Sequence, residues 1–366
     1  MLASLLGLAL LAAACGGGAD DDAAATSEPA DAAATEEEEA ATEADAAATE
    51  EEELDQAEAP NPLEGELISL VVGVGPGGGY DQYARIIAPF LAEELDADVV
   101  VENIPGAGGL VALNGLLADP PDGTHLMLIN GSGIGGSALA GAEGVEFELE
   151  ELAYVARVYA GAKVVATGAS SGYESFQDLI DTDETFSFGS SGPGASTYVE
   201  PTVLMEMLGL NATIITGFEG SADINAFMIA GDVDGILVDI DSQLALFDSG
   251  DTMPLLLLAE ERDDDIPDTP TLMELDLDEE QEVIASALLA LLDLGRTVVA
   301  HPDTPEDVLE ALRGAFDNIL ASPGLQEASE EQNRPLEPLT GAEVEGVVST
   351  ILDAPPEFLQ MLEQGY

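Results

Sequence analysis

The sequence predicts an α/β fold with more than one sheet, and three observations carry that reading. From Leu67 onward, short runs of Val, Leu and Ile recur with little polar alternation, the texture of strands buried on both faces, as in parallel sheets. Segments of helical periodicity separate these runs, which sets up a β-α-β rhythm. The rhythm continues for roughly 300 residues, about two domains of ordinary size. A hydrophobic content of 46% is enough for cores on that scale.

In chain order the expected strands are Leu67–Val72, Val99–Glu102, His125–Ile129, Val155–Val158, Lys163–Thr167, Phe186–Gly189, Ile214–Thr216, Gly235–Val238, Leu255–Leu258 and Thr297–Ala300. Between them the helical pattern selects Asp81–Leu95, Leu110–Ala118, Tyr173–Ile180, Ala195–Leu208, Ala222–Ala230 and Pro305–Leu320. Pro89 falls inside the first of these, where its missing N–H weakens a helix. In such sheets a ligand sits beyond the carboxyl ends of the strands, at helix N-termini, so the strand-to-helix loops are the informative residues.

Charge narrows the function. The chain has 74 acidic and 7 basic residues, a formal net charge of −67. Nucleic-acid binding needs Lys and Arg against phosphates, and attraction to an anionic membrane needs the same groups, so both are excluded. Nineteen acidic residues lie between Gly16 and Glu66, and the other 55 are spread over the rest with all seven basic residues. A charge of that size is self-repelling in dilute buffer and tolerable when salt shortens the Debye length to about 3 Å at 1 M. The expectation is an acidic surface adapted to high salt.

Leu2–Ala14 is an apolar run too short for a bilayer span, which takes about 20 residues. It fits a signal-peptide core and ends in LAAAC, at Cys15, the one cysteine of the chain. That resembles a lipoprotein cleavage box, with residues 1–15 a signal ending at a lipidated Cys15; no Lys or Arg precedes the run, a departure from the usual signal. No intrachain disulfide is then available. Residues 16–66 read as a disordered acidic linker, with AAATEEEE at Ala32–Glu39 and again at Ala46–Glu53. Stacked like charges oppose helix and extend the chain.

Three Gly-rich loops stand out. Gly73–Asp81 (GVGPGGGYD) and Gly189–Ser196 (GSSGPGAS) each lead into an expected helix; Asn130–Ser137 (NGSGIGGS) follows a strand. Glycine lets backbone approach a ligand closely, and a helix N-terminus offers free N–H groups to an anion. Asp81 is either a ligand contact or, the favoured reading, a first-turn carboxylate. Gly73, Gly75 and Gly78 also satisfy GxGxxG, with Glu102 where a ribose-binding acid would stand, so a dinucleotide oxidoreductase is the alternative. Pro76 and Asp81 count against it.

The serines Ser190, Ser191 and Ser196 would need a base to act as nucleophiles. His125 reads as packed in a strand and His301 as a loop residue. No spacing suits a transition metal, and Asp263–Asp265 lacks the calcium-loop pattern and reads as a solvated face. No cofactor, metal or catalytic residue is expected.

ISLVVGVGPGGGYDQYAR (Ile68–Arg85), VVVENIPGAGG (Val99–Gly109), PDGTHLML (Pro121–Leu128), FGSSGPGAS (Phe188–Ser196), GFEGSADINAFMIAGDVDG (Gly217–Gly235) and PDTPTLME (Pro267–Glu274) occur in that order. Together they resemble the substrate-binding receptors of tripartite tricarboxylate transporters. The resemblance implies a two-lobed periplasmic-binding-protein-like fold, each lobe a mainly parallel sheet flanked by helices, with the ligand cleft between. Lobe one would be 67–166 plus 296–366, and lobe two 167–295. It implies an extracytoplasmic receptor that captures a small di- or tricarboxylate and delivers it to a permease of one large and one small subunit; with the lipoprotein box at Cys15, a lipid-anchored monomer is expected.

The same resemblance implies a ligand held by backbone amides and ordered waters. The positions are Gly77, Gly78, Gly79, Tyr80 and Asp81 in lobe one, and Ser190, Ser191, Gly192, Gly194 and Ser196 in lobe two, with Asn130, Gly131, Ser132, Gly220 and Ser221 nearby. Arg85 is implied to form a structural ion pair. Tyr80 stands where a small hydroxyl residue is common, and Phe218-Glu219 replaces a commoner aromatic-Lys pair.

Overall fold

The computed structural model describes residues 61–365. The apolar run, Cys15 and the Ala/Glu segment up to residue 60 lie outside the described residues. Residues 61–66, expected in the linker, belong to the folded body instead. Leu63 is buried in the core, Asn61 Nδ2 donates to Leu95 O at 2.5 Å, and Gly65 N donates to Asp96 O at 2.8 Å.

The first part of the chain runs β1 (Leu67–Val72), α1 (Gly79–Leu95), β2 (Asp98–Asn103), α2 (Leu110–Leu116), β3 (His125–Asn130), α3 (Gly131–Leu139) and β4 (Ala153–Tyr159). It then enters a second sheet through β5 (Lys163–Gly168), α4 (Phe176–Asp181), β6 (Phe186–Ser190), α5 (Ser196–Leu208), β7 (Ala212–Thr216), α6 (Ser221–Ala230), β8 (Gly235–Asp239), α7 (Leu244–Ser249) and β9 (Thr252–Leu258). After α8 (Glu279–Leu292) it returns through β10 (Arg296–Ala300), α9 (Glu306–Ala321), α10 (Pro323–Glu330), β11 (Leu339–Thr340), α11 (Gly341–Leu352) and α12 (Pro356–Gly365).

Each expected strand and helix is present, with no end displaced by more than three residues. α1 is continuous through Pro89.

The six-stranded sheet has the order β11-β4-β10-β3-β1-β2, and the five-stranded sheet β7-β6-β8-β5-β9. In each, three strands are parallel: β2-β1-β3 and β7-β6-β8. The strands that bring the chain into a sheet, β5 and β10, run against them. β10 is antiparallel to β3 and β4, and β5 is antiparallel to β8 and β9. The sheets are therefore mixed, because a chain that crosses between them and returns enters from the opposite end. β5 belongs wholly to the five-stranded sheet, although the expected boundary leaves most of it in lobe one.

Of Asn130–Ser137, expected as a loop, Gly131–Ser137 is helical. Asn130 caps α3 by accepting from Gly133 N at 3.2 Å. Its glycines answer to close packing against α5. A methyl added at Gly133 would lie 2.5 Å from Gly194 O, and one at Gly136 2.4 Å from Val199 Cγ1. α8, opened by an Asp278–Gln281 capping box, packs on α3 and α5 and also on α11 and α12, which joins elements of both sheets.

Candidate functional site

Four helix N-termini lie at the meeting of the two sheets. On the β1–α1 side, Gly77 takes φ +91° so that the chain can turn into the helix capped by Gly78. The loop is clamped by Asp81. Its Oδ2 accepts from Gly77 N at 2.9 Å, and its carboxylate holds Arg85 at 2.8 Å. Arg85 Nη2 donates to Asn103 Oδ1 at 3.0 Å, and Asn103 Nδ2 to Val74 O at 3.1 Å. Burial pushes the Asp81 carboxyl up, but the hydrogen bonds from Arg85 and Gly77 outweigh it and hold it below the usual carboxylate range. Both oxygens are occupied, so Asp81 shapes the loop. The Asp81–Arg85 pair is the structural one expected.

The N-terminus of α6 faces this loop. Gly75 N donates to Glu219 O at 2.7 Å, and a methyl at Gly78 would lie 3.0 Å from Ser221 Oγ. The space that a GxGxxG cradle keeps for a pyrophosphate is filled here. A methyl at Gly73 would lie 2.6 Å from Gly109 Cα, one at Gly75 3.0 Å from Glu219 Cβ, and Glu102 is exposed. The residues present do not fit a dinucleotide.

The second pair of N-termini belongs to α3 and α5. Asn130 Nδ2 donates to Ser196 Oγ at 3.0 Å, and Gly194 N donates to Ala107 O at 3.0 Å. Ser190 is buried and accepts from Gly192 N at 3.1 Å, while Thr197 Oγ1 lies 3.2 Å from its hydroxyl. The structure thus brings Gly77–Asp81 to Gly220 and Ser221, and Asn130–Ser132 to Ser190–Ser196.

Between the two pairs lies a buried charge network that sequence reasoning missed. Lys163 Nζ, on β5, is 3.1 Å from Asp239 Oδ1 and 3.4 Å from Glu200 Oε1. Arg296, the first residue of β10, places Nη2 3.0 Å from both Asp239 Oδ2 and Asp241 Oδ1; only the contact to Asp241 is aligned as a hydrogen bond. Arg334 Nη1 reaches Asp241 Oδ2 at 2.7 Å. Ser132 Oγ donates to Glu200 Oε1 at 2.7 Å.

The Arg296 guanidinium sits 5.0, 4.6 and 5.0 Å from the ring centres of Tyr80, Tyr83 and Tyr159. Tyr80 is therefore packed on a cation, 9% exposed, which explains an aromatic where a small residue was expected. A methyl at Gly79 would lie 2.9 Å from Arg296 Nη2, so the cation backs the N-terminus of α1 directly.

Burial pushes Glu200 up, and Lys163 with Ser132 offsets only part of that, leaving its pKa at about 7. Asp239 is also pushed up by burial, but Arg296 and Lys163 outweigh it and hold it low. For Lys163 and Arg296 the neighbouring carboxylates outweigh burial and raise both above their ordinary values, so both stay charged. A signal for the network was present in the sequence: the single lysine stands at the head of an apolar strand.

All seven basic residues are held by carboxylates. Besides the network and Arg85, Arg157 lies 3.7 Å from Asp293, Arg262 2.8 Å from Glu274, and Arg313 2.6 Å from Glu345. An anion at this site would meet backbone amides and helix N-termini, with Arg296 and Lys163 behind them. The histidines stand elsewhere: His125 Nε2 is 3.9 Å from Asp119, and His301 Nε2 is 3.2 Å from Leu117 O.

A family model described as the tripartite tricarboxylate transporter family receptor matches residues 83–343. A UPF0065 protein of Bordetella pertussis is 27% identical over 265 residues, covering 71% of this chain and 78% of its own. Among solved structures, the periplasmic binding protein BugD superposes with a TM-score of 0.68 at 20% identity, over 82% of this chain and 97% of its own. MatC from Rhodopseudomonas palustris with bound malate superposes with a TM-score of 0.66 at 18% identity, over 82% and 98%. Both likenesses are to the whole two-sheet body.

Proposed function

The chain belongs to the tripartite tricarboxylate transporter receptor family, and from that premise we propose that it captures a small organic carboxylate outside the cytoplasm and delivers it to a membrane permease of one large and one small subunit. The observation that carries the ligand class is the convergence of four helix N-termini, those of α1, α3, α5 and α6, around glycine amides, in a molecule whose cations are already paired. Amides and helix dipoles stabilise an anion without a dedicated cationic side chain. The malate held by MatC supports a dicarboxylate.

In this reading each sheet with its helices is a lobe, and the chain crosses between them after Tyr159 and again before Arg296. Ligand binding shifts an open–closed equilibrium, and the permease recognises the closed form. Cys15 carries the lipid anchor, and the acidic segment after it spaces the receptor from the membrane. Among the described residues no helix is long and apolar enough to cross a membrane. The unpaired acidic surface suits concentrated salt, which screens repulsion between the protein and an anionic ligand.

Calorimetric titration with malate, adipate and citrate tests this reading, in a salt series from about 0.2 M to 2 M KCl, over which the Debye length continues to shorten. One of the three should bind, more tightly as salt rises, and Gly78→Val should abolish binding by driving a side chain into Ser221. Failure of all carboxylates in a screen at high salt, or binding untouched by Gly78→Val, would overturn the site.

A further inference from the structure

Glu200 has no evident duty in a cleft built from amides, yet it occupies the seam between the two sheets. It lies on α5, one turn after Ser196, and is fully buried. Its Oε1 accepts from Ser132 on α3, an element of the other sheet's side, and pairs with Lys163 on β5. Its Oε2 is buried with no hydrogen-bond partner. An ionised carboxylate with a bare buried oxygen is costly, and a proton on that oxygen removes the charge, the larger part of the cost. Both helix N-termini that flank it, those of α3 and α5, belong to the surface on which the carboxylate would rest.

We propose that Glu200 is a positioning residue that couples capture of the carboxylate to closure of the two sheets by taking up one proton from solvent, on Oε2, as the anion binds. This rests on the carboxylate reading above. With the ligand absent, an ionised Glu200 completes a balanced set of three carboxylates, Glu200, Asp239 and Asp241, against Lys163, Arg296 and Arg334. An arriving anion adds negative charge beside that set. Protonating Glu200 restores the balance while keeping the Ser132 hydrogen bond that ties α3 to α5.

The groups facing Glu200 are Lys163 from β5, Asp239 from β8, Tyr80 from α1 and, beyond Asp239, Arg296 from β10. From α3 comes only the Ser132 hydroxyl. Glu206 of α5 itself, Glu279, Glu280 and Glu282 of α8, and Glu357 and Glu363 of α12 are exposed. β6 and β7 carry no ionisable side chain. Burial raises Tyr80 well above its ordinary value, so it stays neutral; Lys163 and Arg296 stay cationic and Asp239 anionic. Among these neighbours only Glu200 changes charge near neutrality, at about 7.

Two measurements on the full chain in high salt decide the matter. The first is the side-chain carboxyl carbon resonance of Glu200 in labelled protein, assigned by its loss in Glu200→Gln. It should titrate near neutrality, apart from the surface carboxylates, and malate should move its midpoint upward. A midpoint among the surface glutamates overturns the proposal with no ligand needed.

The second is calorimetry with malate in two buffers of different ionisation enthalpy. Wild type should take up close to one proton per malate above pH 7, with affinity falling up to tenfold per pH unit there. Glu200→Gln keeps the hydrogen-bond acceptor for Ser132 and should bind malate with no proton uptake. The same uptake in Glu200→Gln overturns the proposal. If neither malate nor any other carboxylate binds, the ligand reading falls, and the resonance still decides where Glu200 titrates.

Discussion

The interior and the surface of this molecule handle charge in opposite ways. Inside, three cations and three carboxylates are linked by contacts of 3.4 Å or less and balance when all are ionised. Outside, carboxylates stand in large excess and the few cations are paired one to one, as in Arg262–Glu274 and Arg313–Glu345. A buried charge costs several kcal/mol unless its partner is in place, so the interior requires particular residues. An exposed charge is screened by ions of the solvent, so the surface requires only the right medium. The chain has seven basic residues, and three of them sit in one internal cluster. Scarcity makes that placement informative: cations are kept where salt cannot substitute for them.

The contrast can be broken most directly at Arg296. Arg296→Met removes the cation shared by Asp239 and Asp241, and should lower stability by about 3–5 kcal/mol, as breaking a buried pair does. Denaturant unfolding at fixed high salt measures it, and added salt should not restore the loss.

Next in size is the pH dependence through Glu200. Its folded pKa lies above its unfolded value, so it contributes stability that is complete below about pH 4.5 and lost as pH rises through about 7. Relative to Glu200→Gln, wild type should lose about 3 kcal/mol across that window, at 1.36 kcal/mol per unit. Unfolding of both proteins at pH 5 and pH 8 checks the sign.

A packing change sharpens the comparison without touching charge. Gly133→Ala places a methyl against the backbone of Gly194 and Ala195, which cannot swing aside as a side chain would. A cost of about 1–3 kcal/mol is expected, together with a more open molecule, seen as a larger radius of gyration in solution scattering. The smallest effect belongs to the surface. Arg262→Gln breaks an exposed pair and should cost less than about 1 kcal/mol, shrinking further with salt.

Much of the fold is legible without knowledge of any contact. Runs such as Leu67–Val72 and Gly235–Asp239 are apolar enough to be buried on both faces, and all ten expected strands are present. The Gly-rich segments do mark places of close approach, but α3 reads as a loop from its sequence. Glycine lowers helix propensity, and only the nearness of α5 explains why Gly133 and Gly136 cannot carry side chains. The stretch at Asn61–Glu66 reads as linker because its one apolar anchor, Leu63, has no periodic partner nearby. The expected site residues gather in two groups, and Asp81 is the first-turn carboxylate its position suggested, whereas the packing of Tyr80 on Arg296 is not reported by propensity or spacing.

Local pattern was thus enough for the fold class, the order of strands and helices and the glycine-rich segments at helix N-termini. Each of these depends on residues within a turn or a strand of one another. The charge network is of another kind. Lys163, Glu200, Asp239, Arg296 and Arg334 are remote in sequence, and apart from the lone lysine none of them stands out by its position in the chain. They become a single structure only when the two sheets meet, because the free energy of a buried charge depends on which partner stands within about 4 Å, where the Coulomb interaction is strongest.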